Sequence, residues 1–421
     1  MDSTLRSLFA MVFSRDFVLE EARRLGAIQR LRELHPFDVL LALVSCALGD
    51  EQRSIATARR QLLQLTGYVP EESSFYERLT PGFVRLAWLL FLRTVAHANR
   101  SRRKQLARAL GMHVRDVRAV DSTQGSLPRR AAQELPSTDS QLGGFKLTVA
   151  LSVLEDSIVS ARLTDARRHD RKAFELPPDI RGVLWLMDRG YCDHRLFAAI
   201  DTGGGFFLTR LKASSMPTVR AIRSGLGRAH LGQKLDGERP YRGVVDVDCA
   251  FQVAGQQTRL FRVVSIAILA RHGRRQTKEY LWLVTNLPPN RVSAEAVATL
   301  YRLRWMIESF FKTLKTVGRL DQVRSGNSAI VSIFVAATLL GMALTQAVCA
   351  AMRTARPDCE PSPQRVFALL LASLPGIIAA RGTPAYTSAL RRLITALWRE
   401  GVNPNPGRPY AWRRHVAAIA R

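Results

Sequence analysis

The stretch Phe145-Lys146-Leu147-Thr148-Val149-Ala150-Leu151-Ser152-Val153 decides the fold. Large apolar side chains stand at every second position with small or polar ones between them, which is the period of a β-strand and not of a helix. Working outward, Glu155-Asp156-Ser157 reads as a turn and residues 158–163 as a returning strand. Upstream, residues 117–120 form a short strand that ends at Asp121. Downstream, beyond a helix, residues 182–187 form an apolar strand that ends at Asp188. Both aspartates are therefore expected at strand ends. A helix near residues 193–200 precedes another strand at 206–211. Residues 244–247, 258–269 and 280–285 then make a β-rich insertion, closed by Pro288-Pro289-Asn290.

The flanks read differently. Residues 17–34, 37–48 and 83–95 carry apolar side chains at three and four spacing, the mark of amphipathic helices. Within this region, residues 54–65, a Gly-containing turn at 66–70 and residues 73–79 outline a helix-turn-helix, with Ser74, Tyr76 and Arg78 as groove contacts. An ordinary helical hairpin gives the same outline. The basic run Arg100-Ser101-Arg102-Arg103-Lys104 leads out of the helices, either as a solvated helix end or as a grip on a polyanion.

Sixty-two Lys and Arg against 35 Asp and Glu give a formal charge of +27, so the surface calls for a polyanionic partner. Nucleic acid comes first, because dispersed cations release counterions along a phosphate backbone. An anionic membrane comes second. Residues 329–352 contain no charged residue and are long enough to span a bilayer, but Ala, Thr, Ser, Gly and Gln346 dilute the run and no aromatic belt brackets it. It is read as a buried core helix, and no membrane partner is expected. The five cysteines are scattered and form no C-x-x-C pair, so neither a disulfide framework nor a zinc site is suggested. The first residues lack the basic leader and apolar run of an export signal, which fits a cytoplasmic protein.

Ser293 is a plausible N-cap for one long helix reaching Thr316. On it Tyr301, Arg304, Glu308 and Lys315 fall at roughly 0°, 300°, 340° and 320° around the axis, a single narrow stripe. A solvated face, with Glu308 pairing with Arg304 and Lys312, accounts for that pattern taken alone. Two strand-end aspartates and a helix carboxylate suggest more: together they can converge as oxygen ligands for Mg²⁺ or Mn²⁺. Two such ions would activate an attacking oxygen and stabilise a leaving one at phosphorus. Asp116 and Asp193, close in sequence to the aspartates, read as solvated or capping residues, and His169 with Asp170 as a surface or cap pair.

Tyr301, Arg304, Glu308 and Lys315, within LYRLRWMIESFFKTLKT, match the Y-(2)-R-(3)-E-(6)-K signature, and here the chain resembles DDE transposases of the bacterial insertion-sequence-four type. AVDST and WLMDRGY resemble that family's first and second aspartate motifs, and FFLTRLK and LWLVTNLP the strands around its insertion.

The resemblance implies an α/β fold. Residues 1–110 would be a helical DNA-end-binding domain. Residues 111–212 and 291–352 would be the two parts of a ribonuclease-H-like catalytic core, 213–290 a β-rich insertion, and 353–421 a helical C-terminal region with a basic tail. It implies Asp121, Asp188 and Glu308 as catalytic metal ligands for a pair of Mg²⁺ ions, with Mn²⁺ as the alternative. Tyr301, Arg304 and Lys315 would hold DNA phosphate, with Lys312 and Lys212 beside them. The activity implied is cut-and-paste transposition: cleavage at the terminal inverted repeats of an insertion sequence, then strand transfer into target DNA by a homodimer in the bacterial nucleoid. A related nuclease, an inactive domesticated end-binding protein and a purely architectural DNA binder are the alternatives. Family members stack a flipped base; Trp282 and Tyr280 are the aromatic candidates, though both lie in an apolar strand that favours core packing.

Overall fold

The computed structural model describes residues 1–31, 33–48, 53–98, 114–236, 243–254, 257–272, 275–323 and 325–404. The basic run Arg100–Lys104 and the tail from 405 lie outside the described residues.

The chain opens with α1 (Asp2–Val12), α2 (Arg15–Arg24), α3 (Pro36–Leu48), α4 (Ile55–Thr66), α5 (Glu72–Tyr76) and α6 (Pro81–Ala98). Ser54 caps α4 by accepting the Thr57 N–H at 3.1 Å. Gly67, at φ +73°, ends it in the left-handed conformation that a Cβ disfavours. The helix-turn outline is thus present. Its second member is a five-residue helix that presents Tyr76 to solvent and buries Phe75.

Then follow β1 (Asp116–Leu127), β2 (Gly143–Ser152), β3 (Ser157–Asp165), α7 (Asp170–Ala173), β4 (Val183–Met187), α8 (His194–Thr202), β5 (Phe206–Arg210), β6 (Thr218–Ser224), β7 (Val245–Ala254), β8 (Gln257–His272) and β9 (Arg275–Thr285). Among the described residues these strands form a single nine-stranded sheet in the order β3-β2-β1-β4-β5-β9-β8-β7-β6. β1, β2 and β3 are antiparallel neighbours, whereas β1, β4 and β5 run parallel. The strands of the insertion continue this sheet beyond β5, where β9 pairs antiparallel with it.

β1 is longer than its apolar run. Ser122-Thr123-Gln124-Gly125-Ser126 carries little strand signal, yet it pairs with β2 from Arg118↔Ser152 to Leu127↔Gly143. Asp121 consequently sits in mid-strand, opposite Val149, and not at a strand end. Close packing helps hold this extension, because a Cβ on Gly125 would stand 2.4 Å from the Phe145 ring. β2 also departs from a simple in–out alternation. Its polar positions Lys146, Thr148 and Ser152 are buried as well, since helices and loops cover both faces of the sheet.

Two apolar layers flank the sheet. One contains Val117, Ala119, Leu147, Leu184, Leu186 and Leu208, and it merges with the N-terminal helices and the C-terminal ones. The other contains Val120, Trp185, Met187, Phe197, Phe207 and Leu211. The C-terminal helices are α9 (Ala294–Arg302), α10 (Trp305–Thr316), α11 (Ser328–Ala355), α12 (Pro363–Ala379) and α13 (Ala385–Glu400). The charge-poor stretch is α11, capped by Asn327, whose Oδ1 accepts the N–H groups of Ala329 at 2.9 Å and Ile330 at 3.2 Å. Its mean hydropathy of 2.1 meets the requirement for a membrane span, but 83% of its most apolar window is buried within the protein. It packs against α3, α6, α12 and β3, as the centre of the helical layer. Gln346 is used there: its Oε1 accepts the Ile158 N–H at the start of β3, at 3.0 Å.

The helix expected from Ser293 to Thr316 breaks at Leu303 and Arg304. Here the N–H groups of Leu303, Arg304, Met306 and Ile307 reach carbonyls three residues back, at 3.0–3.1 Å. This is a tightened 3₁₀ turn made without proline or glycine. It places Glu308 in the first turn of a new helix, where the helix dipole favours a carboxylate.

Candidate active site

Strand register brings the two aspartates together. Val120 of β1 pairs with Met187 of β4, and Met187 pairs with Thr209 of β5. The next position along this row is Asp121 on β1, Asp188 just past β4, and Arg210 at the end of β5. Side chains alternate along a strand, and Ala119, Leu186 and Leu208 point into the layer that also contains Ile307 and Leu314 of α10. Asp121, Asp188 and Arg210 share that parity and so face α10. Asp188 begins a 3₁₀ turn, and its carbonyl accepts from Thr209 Oγ1 at 2.9 Å.

Arg304 joins the row to α10. One guanidinium nitrogen lies 3.3 Å from Asp121 Oδ2, and another donates to Glu308 Oε1. The same guanidinium stands 5.8 Å from the centre of the Tyr301 ring. Burial alone would lower the Arg304 pKa, but Tyr301, Glu308, Asp188 and Asp121 outweigh it and raise it. Burial raises the Tyr301 phenol in turn. Asp121 is pushed up to about 6, first by burial. The Ser122 N–H, at 2.8 Å, and Arg304 pull it down, while Asp188 and Glu308 push it up further.

Three carboxylates in one recess, one of them reluctant to ionise, are a donor set suited to a hard divalent cation. Among the described residues no three His, Cys, Asp or Glu side chains gather tightly enough to hold a metal ion as they stand. The positive charge between Asp121 and Glu308 is Arg304. The chemistry of the donors fits a metal, and side-chain adjustment around Arg304 is what the fit requires.

Of the other residues singled out in the sequence, Lys312 and Lys315 are exposed on α10 and Lys212 is half-buried after β5. Trp282 is buried in the second apolar layer with Tyr280 packed against it, as core residues. Asp193 caps α8 and pairs with Arg171 at 2.9 Å, and His169 caps α7. Asp116 is neither solvated nor a cap. It is buried, accepting from Ser152 Oγ at 2.7 Å and Arg118 Nε at 2.8 Å, because β1 begins inside the sheet and not at its rim. Sequence reading passed over Arg210, although the period of Phe206-Phe207-Leu208-Thr209-Arg210 sets its face. It also passed over Tyr191, whose hydroxyl lies 2.9 Å from Ser122 Oγ, which in turn lies 2.9 Å from Thr148 Oγ1.

The transposase DDE domain family matches residues 112–343, more than half of the chain and all three carboxylates. The chain belongs to that family. Among its relatives, the transposase for insertion sequence element IS231B of Bacillus thuringiensis subsp. berliner is 20% identical over 342 residues, covering 72% of this chain and 70% of that protein. The putative transposase y4zB of Sinorhizobium fredii is 24% identical over 229 residues, 54% of this chain and 59% of the relative. The putative transposase InsL for IS186A of Escherichia coli K12 is 43% identical, but over 61 residues, so the match spans 16% of its length.

Proposed function

We propose that this protein is a transposase that cleaves DNA at the ends of an insertion sequence and joins the freed ends to target DNA. The observation that carries the reading is the placement of Asp121 and Asp188 at adjacent register positions beneath Glu308, with Arg304 drawn between them. The core is read as ribonuclease-H-like from its strand order, an antiparallel β3-β2-β1 run continued by parallel β4 and β5. Belonging to a family that generally works with divalent metal ions supports the same reading.

Asp121, Asp188 and Glu308 would hold the ions, Mg²⁺ being the expected one. When bound, a pair of divalent ions supplies activation of the attacking oxygen and charge stabilisation at the leaving oxygen of an in-line displacement. The remaining work belongs to the chain. Arg304 neutralises the carboxylates before DNA arrives and then turns to a phosphate beside the cleaved bond, with Tyr301 orienting it. Arg210 and Lys315 add positive charge around the same phosphates. Water attacks first at the element's end; the 3′-hydroxyl released then attacks the target strand. Joining two ends in one event calls for two copies of the chain on DNA.

Substituting Asp188→Asn on DNA carrying the element's ends tests this. Cleavage should vanish while end binding persists. Loss of binding in step with cleavage would remove the catalytic assignment, and retained cleavage would exclude Asp188 from the site.

A further inference from the structure

Rows of unpartnered positive charge also occur on the opposite side of the sheet. Two adjoining cavities of about 700 and 470 Å³ share His169, Gly190, Lys212 and Ser214 and form one open groove beside Asp188. The groove is built by α7, the turn after β4, the start of α8 and the loop after β5. These elements pack through Phe174, Tyr191, Leu196 and Leu211 on the second apolar layer, away from α10. Lys172, Arg189, Arg195 and Lys212 line it, and none of the four has an ion-pair partner among the described residues. The nearby acids are already engaged, Asp193 with Arg171 at 2.9 Å and Asp170 with Lys146 at 2.7 Å. Four free cations along a shallow, open channel fit an extended polyanion better than a small molecule.

We infer that this groove carries the backbone of the target DNA duplex, while the element's end lies on the α10 side. The inference rests on the proposed transposase reading and extends it. In-line displacement at phosphorus sets the attacking and leaving oxygens on opposite sides of the reacting atom. The two DNA molecules entering the joining step therefore approach the carboxylates from opposite directions. The helical region, with its helix-turn outline, merges with the α10 layer, so an end gripped by it arrives from that side. The vacant approach is the one past Arg189 and Lys212. The four cations would contact phosphates, which position a duplex without reading its sequence.

The test uses the double variant Lys172→Gln/Arg195→Gln, both exposed side chains, in the full-length protein. Fluorescence anisotropy with a 30-base-pair duplex lacking the element's ends should show an affinity lower by about tenfold and a salt slope shallower by about 2, as for two lost phosphate contacts. Binding to an end-containing duplex in competitor DNA should be unchanged, and transfer of pre-cut ends into target should fall with the anisotropy. Three results would each overturn the inference: unchanged affinity for the end-free duplex, an equal loss of end binding, or an equal loss in the charge-matched control Arg391→Gln/Arg392→Gln on α13. Because the binding arm needs no catalysis, its failure is distinct from retained cleavage in Asp188→Asn.

Discussion

Asp121→Asn should make the protein more stable while removing its activity. Burial holds the Asp121 carboxyl at a pKa of about 6, against an ordinary value of 3.8. Each unit corresponds to about 1.4 kcal/mol, so the ionised side chain costs the fold about 3 kcal/mol, Arg304's attraction already included. The side chain is 24% exposed, so this is close to the full effect. Because the folded value is raised, the cost is complete above pH 6, declines as pH falls through 6, and is gone below about 4. Asn keeps the size and the acceptor oxygen without the charge.

For a chain of 421 residues, an unfolding entropy near 2.1 cal/mol/K per residue turns about 3 kcal/mol into about 3 °C of Tm. Thermal unfolding in EDTA should therefore place the variant about 3 °C above the native protein at pH 8, with the gap closing towards pH 4.5. Added Mg²⁺ should narrow the gap at pH 8, since only the native carboxylate gains a counter-charge. A variant no more stable than the native chain at pH 8, or an advantage independent of pH, would refute the argument from burial.

Other substitutions test the scaffold. Arg262 is buried on Asp246, with Nε 2.9 Å from Oδ1 and Nη2 2.6 Å from Oδ2, and it donates to the Val292 carbonyl at 2.7 Å. Asp246→Asn alone should cost about 3–5 kcal/mol in urea melts, and adding Arg262→Met should cost much less than a second such penalty; strict additivity would contradict the pairing. Arg53 is buried and donates to the carbonyls of Gly318 and Arg319, just after α10. Arg53→Met should destabilise by about 2–4 kcal/mol, and a change below about 0.5 kcal/mol would show that those carbonyls find other donors. Gly125→Ala drives a methyl group into Phe145 and should lower stability by about 1–3 kcal/mol; an unchanged Tm would mean that β1 yields there.

What could be read from the chain depended on whether the signal was local. The alternation of Phe145 to Val153 marks β2, and the apolar run before Asp188 marks β4, because side-chain period is a local property. The Y-(2)-R-(3)-E-(6)-K spacing likewise located Arg304 and Glu308, which the structure joins through a hydrogen bond. The extension of β1 through Ser122 to Ser126 was hidden, since its pairing with β2 supplies the stabilisation that its own side chains do not announce. Nor did anything local mark the break at Leu303, where packing of α9 and α10 against different strands outweighs continuous helix propensity. Asp116 looked solvated because burial depends on which strands flank it, and Arg210 went unnoticed because its importance arises from register across three strands. The continuation of one sheet through the insertion is tertiary information of the same sort.

The most direct test of the central claim is cleavage of DNA bearing the ends of the protein's own genomic element, with Mg²⁺ or with EDTA, by the native chain and by Glu308→Ala. Metal-dependent cutting at the ends is expected from the native chain and none from the variant, with both proteins binding the ends. Binding without cutting by the native chain under any divalent metal, or equal cutting by Glu308→Ala, would contradict it.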